Sequence, residues 1–165
     1  SGLYKNIFNI DKEDLKEIFD KYNIIEEYKI KKIYPALIQI NIKPTKFVAR
    51  ISDKNWLLVG GNGKLIENKT NNEKLPYIFG KFKAKDFLLF KKNIENSKFD
   101  FSEFKILYFF PLGRFYILTT DNILIKLPQE NLQQSLNLAH KMISNNNLKD
   151  KNLIDLRVSG QLIMN

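Results

Sequence analysis

The chain has 165 residues, 44% of them hydrophobic and 13% aromatic, enough for one sizeable core or two small ones. It has no cysteine and a single histidine, His140, which excludes disulfides, thiolate nucleophiles, cysteine-bound zinc and any two-histidine metal site within one subunit. The formal charge of +9 invites a nucleic-acid reading, but all except three of the 27 basic residues are lysines interleaved with Asp and Glu. Only Arg50, Arg114 and Arg157 carry the planar fork suited to base edges and phosphates. Biased residue usage, with weak attraction to anionic membrane surfaces, explains the lysines better.

In chain order, Asp11 is placed to cap a helix whose Leu15, Ile18, Phe19 and Tyr22 gather on one face. Two strands follow: Tyr28 and Ile30 alternate with lysines, and after Pro35 Ile38, Ile40 and Ile42 alternate with Gln39 and Asn41. Residues 3 to about 45 thus read as a small α+β unit, left at the Pro44-Thr45 step. From Phe47 the pattern is antiparallel β, with strands at 47–51, 56–59 and 64–67, the last two joined by Gly60-Gly61-Asn62-Gly63. A polar loop over 68–74 precedes Leu75-Pro76 and a helix from Ala84 to about Asn93 with Phe87 and Leu88 inward. Strands are predicted at 104–110, 114–119 and 123–127. A helix over 130–144 then points Leu132, Leu136, Ala139 and Ile143 inward. The last strand, 153–158, turns Ile154, Leu156 and Val158 one way and Asp155 and Arg157 the other. The fold class is α+β, and no internal repeat is present.

Few residues suggest chemistry. Asp11, Glu13, Asp14 and Glu17 read as the stabilising acids of a helix N-terminus. Residues 60–63 sit between strands instead of opening a helix, so they form a hairpin turn and not a phosphate loop. His140 has Leu136 and Ser144 four residues away and reads as a packing residue. The stretch from Phe79 to Lys92 mixes phenylalanines with lysines, as single-strand nucleic-acid grooves and membrane-surface helices do, and as an ordinary amphipathic segment does too. Arg157 projects from the polar face of a terminal strand, where an unpaired edge accepts another chain; a plain pair with Asp155 is the competing reading. No catalytic, cofactor-binding or metal residue is expected. No apolar run approaches about 18 residues, so no membrane helix is expected either. The start at Ser1-Gly2 without methionine reads as a fusion scar and is compatible with an upstream anchor or signal.

The order of several short motifs resembles the FtsQ (DivIB) family of bacterial cell-division proteins over nearly the whole chain. Ile33-Tyr34-Pro35-Ala36-Leu37-Ile38-Gln39-Ile40-Asn41-Ile42 looks like the strand that closes its POTRA domain, with Ala49 following. Trp56 to Val59 with Gly63 is similar to a family hairpin, and Leu75-Pro76 with Gly80 to its "LP-x-x-x-G" step. Gly113-Arg114-Phe115, Leu127-Pro128 and Ile154-Asp155-Leu156-Arg157 stand where the family has an Arg-Trp pair, a strand-to-helix junction and a closing "IDLR". Lys43 and Lys46 replace a usual glutamate and proline, Phe115 a tryptophan, and Val158 an often aromatic residue. Leu3 to Ile10 offers few strand residues, so the first POTRA strand is expected to be cut short.

The resemblance implies a POTRA-like α+β domain over 1–45, then a mostly antiparallel β domain with two helices over 46–165. It implies a non-enzymatic divisome scaffold, without cofactors, that lies in the periplasm at the septum. A single-pass inner-membrane anchor would lie outside this chain. FtsB-like and FtsL-like proteins would bind by strand addition at the C-terminal edge, through Arg114, Tyr116, Ile154, Asp155, Leu156, Arg157 and Val158. Other divisome components would engage the POTRA-like part. The competing functions are a POTRA-type chaperone of outer-membrane assembly or secretion, which usually shows tandem repeats or a barrel, and a basic nucleic-acid-binding domain.

Overall fold

A computed structural model describes residues 12–35, 37–52, 54–68, 74–145, 151–157 and 163–164. It is α+β, with a short helix and a two-stranded sheet followed by a nine-stranded mixed sheet carrying two helices. Helix α1 (Lys12–Asp20) opens with Glu13 and Asp14, acids that suit the positive end of the helix dipole. Asp11, the expected cap, lies outside the described residues. Strands β1 (Ile25–Ile33) and β2 (Leu37–Pro44) pair antiparallel so that Tyr28 and Ile30 share a face with Ile42 and Ile40. The α1 ring Phe19 meets Tyr28 on that face, with centroids 4.8 Å apart.

The large sheet contains β3 (Phe47–Ile51), β4 (Lys54–Gly60), β5 (Leu65–Glu67), β6 (Tyr77–Phe79), β7 (Phe104–Phe110), β8 (Arg114–Thr119), β9 (Leu124–Lys126), β10 (Leu153–Asp155) and β11 (Ile163–Met164). Their spatial order is β11-β10-β9-β8-β7-β6-β3-β4-β5. The β10–β9, β3–β6 and β6–β7 pairs are parallel and the others antiparallel. Strands β6 and β11 are additional to those expected from the sequence. Both are too short to show a period-two pattern.

Register fixes the two faces of this sheet, because residues directly opposite each other share a face. One row runs Ile78, Leu107, Ile117, Ile125, Ile154, and all five are buried. Helices α2 (Ala84–Glu95) and α3 (Leu132–Ser144) contribute the rest of this core, with Phe87, Phe90 and Ile94 from α2 and Leu132, Leu136, Ala139 and Met142 from α3. Each of these except Ala139 contributes about 1.5–3 kcal/mol on full burial. Phe90 lies against Phe109 and Phe115, with ring centroids 5.4 and 5.1 Å away.

Two inward assignments change. Leu88 faces out and Phe90 and Ile94 face in, because the buried set recurs at i, i+3, i+7 from Phe87. On α3 the fully inward residue of the last turn is Met142, with Ile143 partly buried against the core.

The second row runs Phe79, Tyr108, Tyr116, Lys126, Asp155 on the opposite face. The Gly60–Gly63 segment is the turn between β4 and β5, closed by Gly60 N–H donating to Lys64 O and Gly63 N–H to Gly60 O, each at 2.9 Å. Asn62 in this turn donates from Nδ2 to Asn23 O at 2.9 Å, and its backbone N–H donates to Thr45 Oγ1 at 3.2 Å. Asn23 Nδ2 in turn donates to Leu65 O at 2.9 Å. The two sheets share no strand, and this polar clasp joins them.

Candidate partner-binding surface

The expected last strand, 153–158, is β-paired only over Leu153–Asp155. It is also not an unpaired edge there: β9 pairs with it on one side, and Ile163 and Met164 return antiparallel on the other, opposite Asp155 and Ile154. The edge of the described sheet at this end is therefore the two-residue β11. The predicted alternation holds as far as Leu156, since Ile154 and Leu156 are buried in the core. Their side chains are turned away from a partner. Val158 lies outside the described residues.

Asp155 and Arg157 share the face opposite the helices, but they are not separate exposed groups. Arg157 folds back on Asp155: Nη2 donates to Oδ2 at 2.6 Å, Nε donates to Oδ1 at 2.8 Å, and the Arg157 backbone N–H reaches Oδ1 at 3.1 Å. The geometry is bidentate, with the carboxylate nearly covered and the guanidinium side chain 40% exposed. Nη1 donates to Tyr116 Oη at 3.1 Å, and the guanidinium carbon lies 5.8 Å from the Tyr116 ring centroid. The plain pair with Asp155 is thus present, extended by a tyrosine 41 residues away in sequence.

The Arg157 hydrogen bonds hold the Asp155 carboxyl below its ordinary value, against the desolvation that pushes it up; the nearby charge of Lys126 acts in the same direction as Arg157. The Arg157 guanidinium is correspondingly held more firmly protonated, first by its hydrogen bond to Asp155.

Of the expected residues, the structure brings Tyr116, Asp155 and Arg157 into contact. Arg114 opens β8 on the same face as Tyr116, opposite Phe110, and is exposed. Three contributors were not singled out in the sequence. Lys126 stands between Tyr116 and Asp155 in register, with Nζ 5.7 Å from the Tyr116 ring centroid. Phe110 packs on Tyr116 with centroids 4.6 Å apart, and Tyr108 stacks on Phe110 at 6.3 Å. The signal for the two aromatics was the Ile106, Tyr108, Phe110 alternation in β7; Lys126 becomes visible only with the strand order. Arg50 lies at the far end of this face, over the Tyr77 ring at 3.9 Å, and its Nε donates to Leu75 O at 3.0 Å.

His140 is a packing residue: Phe99 meets its ring edge-on at 5.0 Å, and Ser144 Oγ lies 3.3 Å from Nδ1. Among the described residues no three His, Asp or Glu side chains gather as a metal site, and no helix is long and apolar enough to cross a membrane.

No protein-family model matches this chain, and no curated protein matches it. Among solved structures it is similar to one described as the major extracytoplasmic domain of the trans isomer of the bacterial cell division protein DivIB from Geobacillus stearothermophilus. The similarity has a TM-score of 0.45 and 13% identity over 64% of this chain and 98% of that one.

Proposed function

We propose that this chain is the extracytoplasmic part of an FtsQ-like division protein, a scaffold that catalyses no reaction and holds FtsB-like and FtsL-like partners at the β10–β11 end of its sheet. In this reading residues 1–45 are the POTRA-like unit, open to other divisome components, and 46–165 the β domain. The anchored protein sits in the inner membrane with this part in the periplasm at the septum. The order of motifs from Ile33 to Arg157 supports the family reading.

The observation that carries the site is the Arg157 guanidinium clamped between Asp155 and Tyr116 at a sheet end whose outermost described strand is β11. A cation already immobilised costs little further side-chain entropy on binding. A partner strand laid against β11 would gain backbone hydrogen bonds, its acids would meet the solvent-facing side of Arg157, and its apolar side chains would rest on Tyr116 and Phe110.

The test is titration of this chain with the periplasmic segments of the FtsB and FtsL proteins from the same bacterium. Saturable binding is expected, weakened at least about tenfold by Arg157→Glu. Absence of binding by the wild type rejects the scaffold role, and equal binding by both rejects the part given to Arg157.

A further inference from the structure

Helix α2 presents an outer surface that neither the core nor the Arg157 site uses. With Phe87, Phe90 and Ile94 inward, the 100° step per residue puts Lys85, Leu88, Leu89 and Lys92 on the opposite side, spaced i, i+3, i+4, i+7. Leu88 is 41% and Leu89 57% exposed, and both lysines are exposed. No uncharged polar residue interrupts this stripe. The neighbouring α3 differs, showing Gln133, Gln134, Lys141 and Ser144 outward with Leu138 as its one exposed leucine.

The chain entering α2 adds exposed Lys81 and Lys83. Nearby acids do not offset these cations: Glu95 is already paired with Lys91 at 2.7 Å, and Asp86 is half-buried. The Gly60–Gly63 turn sits close by, since a Cβ placed on Gly63 would come 3.2 Å from Leu88 Cγ. Beside it opens a groove of about 570 Å³ lined by Ile51, Leu57, Leu65 and Phe82, with the exposed Lys54 and Lys81 also lining it.

Exposed leucines ringed by lysines, next to a groove lined by apolar side chains and lysines, match a layer that is anionic at its surface and apolar a few ångströms below. We propose that the outer face of α2 is a peripheral docking surface for an anionic lipid bilayer. Leu88 and Leu89 enter the headgroup boundary while Lys81, Lys83, Lys85 and Lys92 meet lipid phosphates. Single-stranded nucleic acid fits less well. Its stacking bases need exposed rings, and the α2 rings Phe87 and Phe90 are buried. The surface lies across the sheet from Arg157, so it stands or falls independently of the partner-binding reading.

Vesicle co-sedimentation tests it, using this chain with vesicles of equal phosphatidylglycerol and phosphatidylcholine and with pure phosphatidylcholine. Binding is expected only to the anionic vesicles. Each lysine near such a surface contributes about fivefold to partitioning, so Lys85→Glu with Lys92→Glu should lower it at least about a hundredfold. The same charge change at exposed hairpin positions, Lys29→Glu with Lys31→Glu, should lower it by less than about fivefold. Leu88→Asn with Leu89→Asn should lower it about tenfold with the far-ultraviolet circular dichroism unchanged. Three results would overturn the proposal: no wild-type binding to anionic vesicles, equal loss in the hairpin control, or no loss in the leucine variant.

Discussion

Asp155 shows how much one side chain gains from its neighbours. Its carboxylate takes three donors from Arg157, two from the guanidinium at 2.6 and 2.8 Å and one from the backbone, and it is nearly shielded from water. Asp155→Asn removes the charge but keeps the shape, and should cost about 1–3 kcal/mol at pH 7 by denaturant unfolding. The folded-state pKa is lower than the unfolded one, so this contribution is complete above the ordinary carboxylate value. It is lost as pH falls through the folded pKa. The stability gap between the wild type and Asp155→Asn should therefore narrow as pH falls below the ordinary carboxylate value of about 3.9; a gap that does not narrow at all on acidification would contradict the pairing.

Gly80 is the second informative residue. Its φ is +94°, and a Cβ there would lie 2.0 Å from the Phe109 carbonyl oxygen, inside any permissible contact. Gly80→Ala should destabilise by more than about 2 kcal/mol in chemical denaturation. The pairing of Asp155 with Arg157 was legible in the sequence because the two stand two residues apart on the polar side of the predicted alternation. Tyr116 as the third member was reachable only through family resemblance, since nothing local ties residue 116 to 157.

At the scale of elements, periodicity located the long strands and all three helices, because each gathers its apolar residues on one side. Strands β3, β7 and β8 fall at their expected bounds. The failures are physical. Strands β6 and β11 are three and two residues long, too short to establish an alternation. Leu88 and Phe90 are both apolar, and only the sheet beneath α2 decides which of them turns inward.

The Asn62 clasp was equally invisible, since an asparagine in a Gly-Gly-Asn-Gly turn already has a local role. It accepts the Lys64 N–H at Oδ1, 3.1 Å away, as well as reaching Asn23. Asn62→Ala should speed amide exchange at Thr45 and its neighbours while the core amides of β7 and β8 keep their protection; unchanged exchange around Thr45 would show that the clasp does not hold the small sheet.

At the scale of the molecule, the sheet separates two surfaces. Both helices cover one face, and the other carries a band of partly exposed Tyr108, Phe110 and Tyr116 edged by Arg114, Lys126 and Arg157. An apolar band with cations at its margin suits a partner that is apolar in the middle and acidic at its ends. The helix face carries the α2 stripe instead. Leu88→Asn with Leu89→Asn should therefore leave partner titration unchanged, within about a factor of two. A loss comparable to that of Arg157→Glu would mean that the two surfaces are one. The +9 charge was legible at once, but its division between faces was not, because it depends on strand register and on which side of α2 meets the core.

Binding of a division-protein partner at the β10–β11 end beside Arg157 would be seen most directly in an amide hydrogen-exchange footprint. Exchange of this chain is compared with and without a saturating complex of FtsB and FtsL periplasmic segments. Slowed exchange is expected in residues 153–157 and 163–164 and in β8 around Tyr116, with α2 unaffected. Slowing confined to α2 or to the β1–β2 hairpin, or no slowing anywhere at saturation, would contradict binding at that end.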